Sequence, residues 1–291
     1  MKLYRQHDIE YRGTIRRVDY VSTDAEGVQV NKYANVYLPF GYDEDPEKKY
    51  NVLYVMHGGG GNPDAWLDSS LIKNELDYAF SEKEAEPFIV VFPTYYKRGA
   101  KADQKPEAGF EYGNEQIRFF QKELREDLIP AIESTFRTYA EDTSFEGLKA
   151  SRKHRAFSGF SMGGGTTWYA FTDNLDIIAS FAPLSGDLWA IEMRGGQTKT
   201  KETVEYLVNV IKESGYTPDD YKIFAATGVE DIANPNLTPQ VEEMKKYPEF
   251  FRFSEDLSEG NFHYILQEGY EHAYHRVAEY LYNFLPYLFQ Y

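Results

Sequence analysis

Cysteine is absent from the 291 residues. That excludes disulfides, thiolate metal ligands and a thiol nucleophile. It leaves the compartment open, because a chain of this size builds a core without bridges. Long apolar runs are missing too: none approaches the about 18 residues of a membrane-spanning helix. Basic residues are scarce beside acidic ones, 31 Lys+Arg against 47 Asp+Glu, for a formal net charge of −16. A field of that sign repels phosphate backbones and anionic membranes, so neither nucleic acid nor a membrane is expected as partner. Neutral substrates are indifferent to it. Residues 1–8 are too polar for a signal peptide, which leaves an intracellular protein or a mature domain given a starting Met. Repeats, low-complexity tracts and linkers are absent as well, so one domain over 1–291 is expected. Tryptophan numbers only 3, but 25 Tyr and 20 Phe supply an aromatic core or flat contact surfaces for ligands.

What is present is an alternation. Residues 14–22 and 28–38 read as strands, the first 45 or so residues forming antiparallel strands at one sheet edge. Residues 51–56 and 88–92 are short, unbroken apolar runs, as strands buried on both faces require. Further strands are expected at 154–160, 178–184, 221–226 and 261–267. Helices are expected at 70–84, 114–137 with a kink or the start of a new turn at Pro130, 164–173, 201–213, 238–246 behind Pro239, and 273–289. Residues 97–114 read as an exposed loop, and 187–220 as a small insertion over the sheet. Strand and helix alternating from about residue 50 onward predict an α/β fold with a mostly parallel sheet and helices on both faces.

Residues 159–163, Gly-Phe-Ser-Met-Gly, are G-x-S-x-G between a predicted strand and a predicted helix. In that context the pattern is a sharp turn that lifts the Ser161 hydroxyl above the sheet as a nucleophile. Such a nucleophile needs donors for an oxyanion. His57-Gly58-Gly59-Gly60-Gly61, directly after the strand at 51–56, has the form of an oxyanion loop. It lacks the Lys-Ser/Thr of a phosphate-cradling loop. The expected donors are the N–H groups of Gly59 and Met162. The chain order for this fold is Ser, then Asp/Glu, then His. His272 lies in a loop between the last strand and last helix and is the expected base. His275, in the first turn of that helix, is the alternative, while His263 sits inside a strand pattern. Asp231, in a loop after the strand at 221–226, is the expected acid, with its neighbour Glu230 and the earlier Asp187 as alternatives.

Together these residues resemble the feruloyl esterases of carbohydrate esterase family one, in the esterase D-like branch of the α/β-hydrolases. They resemble most the domains attached to clostridial-type xylanases. The resemblance runs from about residue 14 to the end, on residues 56–60, 89–94, 154–164, 183–187 with Trp189, 225–232 and 269–272. It implies an α/β-hydrolase fold, Ser161 as nucleophile, Asp231 as acid, His272 as base, Gly59 and Met162 as oxyanion donors, and Trp189 beside the bound phenolic ring. It implies no cofactor and no metal, a feruloylated xylan or xylo-oligosaccharide as partner, extracellular action, and possible excision from a multi-domain xylanase. One departure is visible: the family's histidine loop is often Gly-rich with an aromatic pair after the His, whereas here Tyr270-Glu271 precede it and Ala273-Tyr274 follow. The competing functions are an acetyl xylan esterase or other acyl esterase, an acyltransferase, a thioester hydrolase and a non-catalytic carbohydrate-binding module.

Overall fold

The computed structural model describes residues 1–2, 6–24, 26–96 and 109–291, with backbone only at 109–111. Among the described residues, the eight strands are β1 (Thr14–Thr23), β2 (Gln29–Leu38), β3 (Val52–Met56), β4 (Ile89–Phe92), β5 (Arg155–Phe160), β6 (Ser180–Leu184), β7 (Lys222–Gly228) and β8 (Phe262–Gln267). They form one sheet in the order β1-β2-β4-β3-β5-β6-β7-β8. The pairs β1·β2 and β2·β4 are antiparallel, and all the others are parallel. The helices are α1 (Ala65–Ser69), α2 (Ile72–Ser81), α3 (Gly109–Glu123), α4 (Ile129–Thr135), α5 (Phe145–Ala150), α6 (Met162–Asn174), α7 (Gly195–Thr198), α8 (Thr200–Ser214), α9 (Asn234–Met244) and α10 (Tyr274–Phe284).

The unbroken apolar strands divide their side chains between two cores. Val52, Tyr54 and Met56 of β3, with Ile89 and Val91 of β4, face a core closed by α3, α4, α5, α6, α8 and α9. Leu53, Val55, Val90 and Phe92 face a second core closed by α1, α2 and α10. Burial on both faces is why these strands carry no polar alternation.

Several expectations differ from the structure. The helix expected at 70–84 is α2, Ile72–Ser81, and the short α1 before it was not expected. Pro130 stands in the first turn of a new helix, α4, as one of the two readings had it, and a widened π turn over Leu124–Leu128 precedes it. Pro130 has no N–H to return to the preceding turn, and the chain relaxes there. The stretch 187–220 is no insertion: α8 is the crossover that parallel β6 and β7 require. Pro239 lies inside α9 rather than at its start, which is held by Pro235. Of the loop expected at 97–114, residues 97–108 lie outside the described residues, and α3 begins at Gly109.

The chain leaves β3 for β4 on one side and returns to β5 on the other. The carboxyl ends of β3 and β5 therefore flank a topological switch point, where open α/β sheets bind ligands.

Candidate active site

Ser161 stands between β5 and α6 with φ +59° and ψ −116°, a left-handed conformation that a non-glycine residue holds only under constraint. The constraint is visible on both sides. Its N–H donates to Leu184 O at 2.9 Å, and its carbonyl accepts from Gly165 N at 3.0 Å. The turn closes because Gly163 has no side chain: a Cβ there would lie 2.5 Å from Met56 O and 2.7 Å from His57 O. The helix thus starts hard against the end of β3.

His272 reaches Ser161 from the loop between β8 and α10, its Nε2 2.9 Å from Ser161 Oγ. Its Nδ1 is 2.6 Å from Asp231 Oδ1. Asp231 follows β7 and is buried; the same Oδ1 accepts from Ala233 N at 2.7 Å. Its Oδ2 is buried with no protein partner among the described residues. The His272 ring leans on Phe160, ring centres 4.5 Å apart. The two loops that carry Asp231 and His272 meet at Gly228, where a Cβ would lie 1.8 Å from Tyr270 O. A carboxylate on Nδ1 sets the imidazole tautomer, leaving Nε2 free to take the serine proton.

The alternative residues have other partners. His275 Nε2 lies 3.2 Å from Glu271 on the exposed side of α10. His263 Nδ1 meets Ser254 O at 3.0 Å, and its ring stacks on Phe224. Asp187 accepts from Trp189 Nε1 at 3.0 Å and from Gly196 N at 3.0 Å; burial raises its carboxyl above the usual range. Glu230 is exposed. Trp189 itself is 8% exposed, with its N–H turned to Asp187. The face of its ring, not its polar edge, is what it can offer a ligand.

The glycine loop after β3 overhangs the serine. A Cβ on Gly58 would lie 3.4 Å from Ser161 Cβ, and one on Gly59 would lie 2.9 Å from Met162 Sδ. Gly58 N donates to Tyr274 OH at 2.9 Å and Gly60 N to Tyr96 OH at 2.8 Å. Gly59 N–H, between them, has no acceptor among the described residues. Met162 is the first residue of α6, where helix geometry leaves the N–H unpaired. Two N–H groups without an acceptor thus stand on segments that touch, Gly58 lying against Ser161 and Gly59 against Met162.

Sequence reasoning passed over the residues that hold this loop. His57 is buried, and burial pushes its imidazole down to about 4. Tyr95, Tyr96 and Tyr274 each place a phenol on a loop atom. Tyr274 is part of the departure in the histidine loop, and here it ties the His272 loop to the glycine loop. The available signal was the Thr94-Tyr95-Tyr96 run directly after β4. Among the described residues, no three His, Asp or Glu side chains converge as a metal centre would need.

Fold and site together define an α/β-hydrolase with a serine, histidine and aspartate in register. A family model described as "Putative esterase" matches residues 28–278. The chain belongs to this esterase family and is a carboxylic ester hydrolase. It is 42% identical over 264 residues to endo-1,4-beta-xylanase Y of Acetivibrio thermocellus, covering 90% of this chain and 22% of that protein. It is 30% identical over 207 residues to an endo-1,4-beta-xylanase/feruloyl esterase of Xylanibacter ruminicola, covering 70% of this chain and 25% of that protein. The chain therefore spans about a quarter or less of the length of these relatives. A solved structure of the feruloyl esterase module from Clostridium thermocellum, a serine-to-alanine mutant complexed with sinapinate, is similar at a TM-score of 0.82 and 39% identity. It covers 98% of this chain and 91% of that one.

Proposed function

We propose that residues 1–291 form one catalytic domain that hydrolyses hydroxycinnamoyl esters, feruloyl above all, on arabinoxylan or its xylo-oligosaccharides outside the cell. The observation that carries the reading is the hydrogen-bonded run Ser161–His272–Asp231 at 2.9 and 2.6 Å under two unpaired N–H groups. The 39% identity to a module complexed with sinapinate supports the acyl group.

In this mechanism Ser161 Oγ attacks the ester carbonyl carbon while His272 Nε2 takes the hydroxyl proton. Asp231 holds the ring through Nδ1 and stabilises the imidazolium. The carbonyl oxygen becomes an oxyanion, which the N–H groups of Gly59 and Met162 bind. The carbon–oxygen bond to the sugar breaks, and His272 returns its proton to the leaving sugar oxygen. Water then gives a proton to His272 and attacks the acyl-enzyme. Collapse of the second tetrahedral intermediate frees the acid and restores the Ser161 hydroxyl. Trp189 is the proposed wall for the phenolic ring. The feruloyl ester is nearly neutral, so the charge of −16 does not oppose it.

The test is release of ferulate from methyl ferulate and from feruloylated xylo-oligosaccharide, with Ser161→Ala alongside. Turnover by the native chain and none by the variant supports the reading. Cleavage of acetylated xylan alone would make the chain an acetyl esterase.

A further inference from the structure

The N–H of Gly59 shares its trans peptide with the carbonyl of Gly58, and in a trans peptide the two point in opposite directions. Whatever grips Gly58 O therefore aims Gly59 N–H. Two side chains grip it: His57 Nδ1 at 2.7 Å and Tyr95 OH at 3.0 Å. We propose that His57 and Tyr95 are positioning residues for the oxyanion donor, and that Thr94 and Lys32 fix the one tautomer of His57 that can do this.

A carbonyl oxygen only accepts, so the proton of the neutral ring must sit on Nδ1. Nε2 is then bare and must accept. Its partner is Thr94 Oγ1 at 2.7 Å, which donates its hydroxyl proton and is left to accept from Tyr96 N at 3.1 Å. The hydroxyl thus has a fixed direction. The Thr94 backbone is held in turn by Lys32 Nζ, which donates to Thr94 O at 2.8 Å and to Glu123 Oε2 at 2.7 Å. Glu123 Oε1 accepts from Tyr20 OH at 2.7 Å. Lys32, Thr94 and His57 are all buried. Burial, reinforced by the charge of Lys32, also disfavours a second proton on the ring. The relay runs from an ion pair under the sheet edge to a peptide above the nucleophile. Removing the Thr94 hydroxyl leaves Nε2 without a donor and frees the ring to change tautomer or turn. Gly58 O then loses one of its two anchors. Because the anchors act on an N–H that meets full negative charge only in the transition state, their loss falls on kcat rather than KM.

The inference rests on the esterase reading of Ser161 but not on its acyl specificity, so p-nitrophenyl acetate is the probe. Thr94→Val keeps the shape without the hydroxyl, Thr94→Ser keeps the hydroxyl, and Tyr95→Phe removes the second anchor. Thr94→Val and Tyr95→Phe should each lower kcat by about 10- to 100-fold with KM within about 2-fold, a fraction of a full donor's effect. Thr94→Ser should stay within about 3-fold of the native rate. Imidazole nitrogen NMR of the native protein at pH 7 should show His57 neutral and protonated on Nδ1. That readout stands even where a variant fails to fold. A ring protonated on Nε2, or a folded Thr94→Val with native kcat, overturns the proposal and leaves the esterase reading intact. A fully active Ser161→Ala overturns both.

Discussion

Ser161 holds a left-handed backbone conformation that costs about 1–3 kcal/mol for a non-glycine residue. Glycine adopts that conformation freely. Ser161→Gly is therefore expected to raise the unfolding midpoint while abolishing ester turnover, and Ser161→Ala to abolish turnover without that gain. Paired thermal melts and p-nitrophenyl acetate assays check this, and a Gly variant no more stable than the Ala variant would remove strain from the account. Asp231 meets His272 Nδ1 through one oxygen. Asp231→Asn should reduce kcat on the order of 10²–10⁴-fold, because the amide disfavours the working tautomer. Steady-state kinetics with KM measured beside kcat checks it, and a loss confined to KM would contradict it. At this scale the sequence was most legible where chemistry needs a residue type at a fixed place. G-x-S-x-G and the glycine loop stand out for that reason, and a place in the loop after the last strand set His272 apart from His263 in a strand and His275 in a helix turn. The relay through Lys32 and Thr94 was not legible. It joins residues far apart in sequence through a backbone carbonyl, and nothing in composition or spacing marks such a contact.

Among the elements, the β7 and β8 loops meet at Gly228, where there is no room for a methyl group. Gly228→Ala must displace Tyr270 and with it the loop that carries His272. Turnover should fall by at least about 10²-fold, more than the stability loss explains. A crystal structure of the variant would show His272 drawn away from Asp231, and an unmoved His272 would sink the argument. On the opposite core, Glu75 of α2 is buried, and desolvation with the like charge of Glu279 on α10 raises its carboxyl to about 8. Its ordinary value is 4.5, so the folded state holds a proton that the unfolded chain releases. Stability from this group is full below about 4.5 and is lost as pH rises toward 8. His57 works in the opposite direction: lowered from 6.5 to about 4, it removes stability as pH falls through that interval. Glu75→Gln should thus match the native protein near pH 4.5 and exceed it by roughly 1–3 kcal/mol near pH 9. Urea midpoints at the two values decide this, and a gain that does not depend on pH would place the effect elsewhere. Every described strand was legible in the sequence, since strands buried on two faces print as unbroken apolar runs. The short helices α1, α5 and α7 were not, because four to six residues are too few to show a helical period. The π turn before Pro130 was not legible either, since periodicity does not carry it.

At the scale of the whole molecule, the net charge of −16 selects against anionic substrates and does little to neutral ones. Turnover of methyl ferulate should change by less than about 2-fold between about 0.02 and 0.5 M salt. Turnover of a feruloylated oligosaccharide bearing glucuronate should rise with salt as repulsion is screened. Equal salt dependence for the two would show that the field does not reach the site. The central claim is that Ser161 of this sheet cleaves a hydroxycinnamoyl ester. The most direct test is parallel hydrolysis of methyl ferulate, p-nitrophenyl acetate and acetylated xylan by the native chain and by Ser161→Ala. The account predicts that methyl ferulate is the preferred ester and that the variant is inactive on all three. A variant as active as the native protein, or a native protein that leaves methyl ferulate intact, would contradict it.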